Sequence, residues 1–352
     1  MKRHWSDAPP APATPDVSSE SKPTNGSSGV AAAAPSPTDP HVAPAAEVRN
    51  AATASEPRKR KSLEPPVAVP PEKIDWVRNL PFFLMHLAVP LVFVVGWSPV
   101  AVWSAVGLYV VRMFFITGIY HRYFSHKSYK VSRPVQAVFA FLGTFAVQRG
   151  PLWWAAHHRH HHAHSDEEID AHSPRHGFWW SHCLWFLTKS GEPTRERLLP
   201  DFKKFPEIHW INRNYLIAPV ILGFALYGVG EWLGTHRPEL GTTGWQMFIW
   251  GFCVSTVALY HGTYTINSLS HVWGSRRYET DDTSRNNLFL AIITLGEGWH
   301  NNHHHFSASA RQGFYWYEID FAYYALWVLE KLGIVRDLKP VPEHVREANR
   351  TA

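Results

Sequence analysis

Cysteine is nearly absent from this 352-residue chain: only Cys183 and Cys253 occur, in no CxxC pattern. That excludes a disulfide framework and a thiolate metal site. Charge is also scarce, at 18% of residues, where soluble domains carry about 25%. With 45% of the chain hydrophobic, something other than water must solvate part of it. The formal charge of +5 does not point to nucleic acid, because the basic residues are scattered or flank apolar runs, where they read as orientation and headgroup charges. The residues after Met1 lack the apolar core of a secretory leader, so no leader is expected.

The chain divides into a tail over 1–72, a core over 73–340 and a short tail over 341–352. The first tail is rich in Pro, Ala, Ser and Thr and cannot bury enough apolar surface to offset ordering, so it is expected to be disordered. Its basic run Arg58, Lys59, Arg60 and Lys61 precedes the first apolar segment and places the N-terminus in the cytoplasm. A nuclear-localisation reading of the same run is the plainer alternative.

Four apolar runs approach the roughly 20 residues a helix needs to span hydrocarbon. They are Pro81 to Trp97, Val100 to Tyr120, Tyr215 to Leu233 and Trp245 to Ile266. Arg112 interrupts the second, and an arginine at that depth must face protein, water or a partner. A fifth run, Val135 to Val147, is short and suits a re-entrant or interfacial helix. If it does not cross, the polar segments after the second and fourth spans share one side with the N-terminus. An all-α integral-membrane fold of four spans follows, with every histidine cluster on the cytoplasmic side.

What is abundant is histidine, with 23 residues. HRYFSH carries His121 and His126. HHRHHHAHSD contains HxxHH as His158, His161 and His162, although His157, His160 and His161 fit the same pattern, so two frames compete there. HNNHHH gives His300, His303 and His304. Positions i, i+3 and i+4 lie on one side of a helix, so each HxxHH unit is expected to aim three imidazoles at one volume. The HxxxxH pair is separated by roughly 140° on an α-helix and is expected to reach two different metals. The spacings therefore call for a binuclear cage, with His157, His160, His164 and His305 as solvated or supporting residues. Imidazole alone does not name the metal. The lack of glutamate ligands points away from carboxylate-bridged bundles.

These residues resemble the membrane fatty acid desaturase family, of the stearoyl-CoA, Δ9 acyl-CoA type and bacterial-like, from Trp76 to Pro340. The matching segments are HRYFSH, HRHHH followed by Asp170, His172 and GFWWSH, then NSLSHVWGSRRY and GEGWHNNHH. The resemblance implies a di-iron centre held by His121, His126, His158, His161, His162, His271, His300, His303 and His304, with Asn267 holding a metal-bound water. It selects the His158 frame and adds His271, which spacing alone misses. It further implies a cytoplasmic cap with a bent acyl tunnel, O2 as co-substrate and formation of a cis double bond in a fatty acyl-CoA, with no catalytic residue beyond the metal centre. No HPGG-like haem segment occurs, so electrons are expected from a separate ferredoxin-like or cytochrome b5-like donor with its reductase. SARQGFYWYEID favours the ferredoxin-like donor.

Two other classes compete. A histidine-box hydroxylase of alkanes, sterols or fatty acids would share the oxidant but add oxygen to carbon. A histidine-rich metal transporter or sensor would place ligands near the middle of its spans, whereas these clusters lie at span ends. A structural protein with solvated histidine loops would lose nothing when His300, His303 and His304 are replaced.

Overall fold

The computed structural model describes residues 72–351, Glu192 excepted. The tail over 1–71 lies outside the described residues. Among those described, the chain is helical, with isolated β-bridges and no extended strand.

Helix α1 runs Leu80–Val95 and tightens into a 3₁₀ turn at Val89–Leu91, where Pro90 has no N–H for the α-helical ladder. Helix α2, Pro99–Ser125, starts where the Ser98 hydroxyl accepts from Ala101 N at 3.2 Å and Pro99 needs no donor. Helix α3 is Arg133–Thr144, α4 Pro151–His164, α5 Pro206–Arg213 and α6 Ile217–His236. A Thr243–Gln246 capping box opens a continuous helical run whose last section is α7, Ser255–Asn267. The single turn α8, Leu269–Val272, follows it. Helix α9 is His300–His305, α10 Phe321–Lys331 and α11 Glu343–Glu347.

Among the described residues two helices, α2 and α6, are long and apolar enough to cross a membrane, and only 33% and 28% of their apolar windows are buried in protein. Side chains such as Phe224 on α6 and Phe93 on α1 face outward, an arrangement that water disfavours and lipid accepts. Helix α1 is shorter, and the run ending in α7 is diluted by Ser255, Thr256, His261 and Thr263. Helix α3 occupies the short fifth run. Arg112 does face protein: it is buried and donates to Thr256 Oγ1 at 2.8 Å, Leu108 O at 3.2 Å and Ser255.

The core joins the end of α2 to α3 and α4 through Met113, Ile116, Ile119, Tyr120, Phe139 and Ala155. Small residues let these helices approach: a Cβ on Gly143 would lie 1.9 Å from the Tyr120 ring. Residues 341–351, read from sequence as a tail, pack against residues 277–278, with Tyr278 Oη donating to Arg346 O at 2.8 Å and Thr351 N donating to Arg277 O at 2.7 Å.

Candidate metal centre

Nine histidines converge in two groups. His121, His126, His158, His162 and His303 form one, and His161, His271, His300 and His304 the other, with the ligand atoms of each group within 4.8 Å of one another. Neighbouring Nε2 atoms lie 2.8 Å apart in His126–His158, 2.9 Å in His162–His303, 3.0 Å in His121–His303 and 3.2 Å in His271–His300.

The local backbone corrects two expectations. The last part of α2, Phe115–Ser125, is a π-helix, and His126 N donates to His121 O at 3.2 Å. This wider i→i+5 turn brings residue i+5 back above residue i, so His121 and His126 enter one group instead of two. Each HxxHH unit is also divided. His158 and His162 point into the five-histidine group and His161 into the other, while His300 and His304 join the second group and His303 the first. The two groups sit so close between α4 and α9 that one helical face serves both.

A shell of carboxylates orients the rings. Glu297 lies 2.6 Å from His121 Nδ1, Asp170 2.8 Å from His161 Nδ1, Asp166 3.2 Å from His271 Nδ1 and Asp282 2.5 Å from His304 Nδ1. A Nδ1–H given to a carboxylate leaves the Nε2 lone pair for the group interior. Burial pushes the Asp166 carboxyl up, but His271 and Thr283 outweigh it and hold it at about 2. Asp282 is likewise held well below the usual range, burial being outweighed by His304 and Ser284. Of these partners only Asp170 stood out in the sequence, through the segment after box two. Glu297 was visible inside GEGWH without a role, and Asp166 and Asp282 carried no spacing signal.

The donor set fits metal ions. Metal–imidazole bonds of roughly 2.0–2.1 Å with about 90–110° between them put neighbouring nitrogens about 2.8–3.4 Å apart, the range of the separations seen. His304 Nε2 is buried without a partner while its Nδ1 is held by Asp282, which leaves that lone pair for an ion. The anionic shell around neutral rings supplies the compensating charge that buried cations need.

Two cavities meet at this centre. The larger, about 180 Å³, is lined by Arg149, Trp153, Trp185, Phe186, Tyr260 and Tyr264 among others, and the smaller, about 40 Å³, by Met113, Ile116 and Thr117. Trp154, His158, Thr263 and Asn267 belong to both walls. Gln148 ties two of these together, donating to Thr263 Oγ1 at 2.9 Å and accepting from Trp154 Nε1 at 3.4 Å.

A family model described as fatty acid desaturase matches residues 73–335. This chain belongs to the fatty acid desaturase family. It is similar to an sn-2 palmitoyl-lipid 9-desaturase of Nostoc sp. (strain 36), 34% identical over 290 residues that cover 78% of this chain and 95% of the relative. A Delta-9 acyl-lipid desaturase 1 of Arabidopsis thaliana is 36% identical over 282 residues, 78% and 87% of the two chains. An acyl-CoA 5-desaturase of Anemone leveillei is 34% identical over 305 residues, 82% and 89% of the two chains. The desaturase is thus an oxidoreductase of lipid metabolism. Its relatives divide between acyl-lipid and acyl-CoA enzymes.

Within the desaturase, Asn267 lies at the end of α7 on the wall shared by the two cavities and outside both histidine groups. His157, His160, His164 and His305 also lie outside the groups. His157 Nδ1 is 2.9 Å from Trp153 O, and His305 Nε2 is 2.8 Å from Val345 O.

Proposed function

We propose that this desaturase introduces a cis double bond at the Δ9 position of a saturated acyl chain, using O2 and two electrons from a separate donor protein. The observation that carries the reading is a cavity of aromatic walls that is lined also by His158, a member of the five-histidine group, and by Asn267. Nine histidines, from His121 to His304, hold two iron ions in this reading, and Asn267 holds a water at the four-histidine site. Bound iron with O2 supplies the oxidant that removes one hydrogen from each of two adjacent methylenes.

The chain's own residues do the selecting. Methylenes offer no polar handle, so position is fixed by shape: Trp153, Tyr260 and Tyr264 enclose the acyl chain, and Trp154 and Thr263 border its passage past His158. Aromatic walls also keep bulk water from the reacting carbons. The proposed topology has four membrane helices, with the N-terminus and the histidine centre in the cytoplasm and a ferredoxin-like or cytochrome b5-like donor docking there.

Acyl-CoA is the substrate that the sequence motifs favour, and an acyl-lipid is a second reading, favoured by the names of the Nostoc and Arabidopsis relatives. Expression in a host without its own desaturase, with iron and an electron donor present, tests the function. Gas chromatography and mass spectrometry of the lipids should find a cis alkene between C9 and C10. Absence of any new alkene overturns the reading, and a product heavier by one oxygen identifies a hydroxylase instead.

A further inference from the structure

Residues 147–149 make a strained corner in the wall of the larger cavity. Val147 has φ 60° and Arg149 φ 64°, a region costly for any residue with a side chain and most of all for a β-branched one. The corner is pinned on several sides. Tyr260 Oη donates to Val147 O at 2.9 Å, Gln148 Nε2 to Thr263 Oγ1 at 2.9 Å and Tyr120 Oη to Arg149 O at 3.3 Å. Strain held in place by so many neighbours at a cavity wall is a mark of use.

What the corner presents is the Arg149 guanidinium. It lies over the Trp153 ring at 4.6 Å, and its Nη2 donates to Phe186 O at 3.2 Å. Its Nη1 is buried with no acceptor, and no carboxylate pairs with it among the described residues. A buried donor left without an acceptor is costly in free energy. Burial, reinforced by nearby Arg78, pulls this guanidinium down to about 10, so it is still a cation at neutral pH. The cavity that Arg149 borders is also lined by His158 and Asn267. An acyl chain lying in it would have one end beside this cation and its interior beside the histidines.

Resting on the reading of this cavity as the acyl site, we propose that Arg149 Nη1 donates to the carbonyl oxygen of the bound acyl ester or thioester. It thereby fixes how many methylenes separate that carbonyl from the histidine groups. Arg149 is a positioning residue in this role. One unpartnered nitrogen, with its two N–H groups, suffices for the two lone pairs of one carbonyl oxygen, whereas a phosphate offers several oxygens and draws several donor groups. The aromatic surroundings of Trp153, Trp185 and Phe186 also disfavour a fully charged group.

The test uses the full-length, iron-loaded desaturase with its electron donor. One saturated chain is supplied as its CoA thioester, as its N-acetylcysteamine thioester and as a phospholipid ester. The wild type establishes which carriers are accepted. Arg149→Met should raise KM by about tenfold or more and spread the double bond to neighbouring positions, with kcat less affected and the KM rise equal for the two thioesters. Arg149→Lys, which keeps a cationic donor, should show a smaller rise. An unchanged KM with a single double-bond position overturns the proposal, as does a KM rise confined to phosphate-bearing substrates or a fall in kcat alone. If Arg149→Met loses iron or fails to fold, Arg149→Lys carries the test: a raised KM with spread positions supports the anchor, and wild-type behaviour overturns it. Absence of alkene from the wild type with every substrate would overturn the desaturase reading itself, a separate result.

Discussion

His126 and His158 face each other Nε2 to Nε2 across 2.8 Å, although one ends a π-helical turn and the other sits mid-way along α4. Burial pushes both imidazoles well below their usual pKa range, so they meet as neutral rings. An ion placed between such lone pairs satisfies both, and the folded protein should therefore bind metal far more tightly than the unfolded chain does. Stripping metal with a chelator is expected to lower the unfolding temperature, and ferrous iron should restore it. Each site filled at a hundredfold excess over its Kd contributes about 2.7 kcal/mol. Differential scanning fluorimetry in detergent, with iron counted by elemental analysis, checks this; identical melting with and without metal refutes it.

Arg122 and Asp320 form a second buried relationship, at 2.9 Å, with both side chains shielded from solvent. Asp320 also accepts from Gln312 N at 2.7 Å and Tyr323 N at 2.9 Å. Asp320→Ala leaves two N–H groups unpartnered and strips one of the two carboxylates from the Arg122 guanidinium, which keeps Glu297 and Ala310 O, and is expected to cost about 3–5 kcal/mol. Thermal denaturation of the variant against wild type measures the loss.

Much of this centre was legible in the sequence because histidine spacing is a strong signal and the boxes follow apolar runs. What was not legible follows from backbone geometry. The roughly 140° between His121 and His126 holds only for an α-helix, and no residue in HRYFSH announces a π turn. The division of each HxxHH unit depends on how far α4 and α9 stand apart, which is a tertiary quantity. Asp166 and Asp282 reach their histidines from loops, where no period links them to their partners. Arg149 carries no signal in the sequence, because its positive φ and its missing acceptor exist only in three dimensions.

Gly143 is a tight approach between α3 and the Tyr120 ring. Gly143→Ala is expected to destabilise the protein by about 1–3 kcal/mol through overpacking, despite the better helix propensity of alanine. A melting temperature at or above wild type would show that the rings can shift aside at little cost.

Asp201 accepts from Arg159 at 2.8 Å and pairs with Lys127 at 2.7 Å. Burial raises its carboxyl, but Arg159 and Lys127 outweigh that and lower it overall. A carboxyl depressed on folding stabilises the protein above its unfolded value, near 3.9 for Asp, and that contribution disappears as pH falls through the folded value. Wild type should thus exceed Asp201→Asn in melting temperature at neutral pH, with the gap closing below about pH 4. A gap independent of pH between 3 and 7 would contradict the assignment.

Helices α4 and α9 each give imidazoles to both histidine groups, so neither helix can relax around one empty position without disturbing the other. Where two ions are bound, filling one group would hold the imidazoles of the other in place, so occupancy is expected to climb from none to two over a narrow range of free metal. For a cell, that would tie desaturation to metal supply as a threshold in place of a graded response.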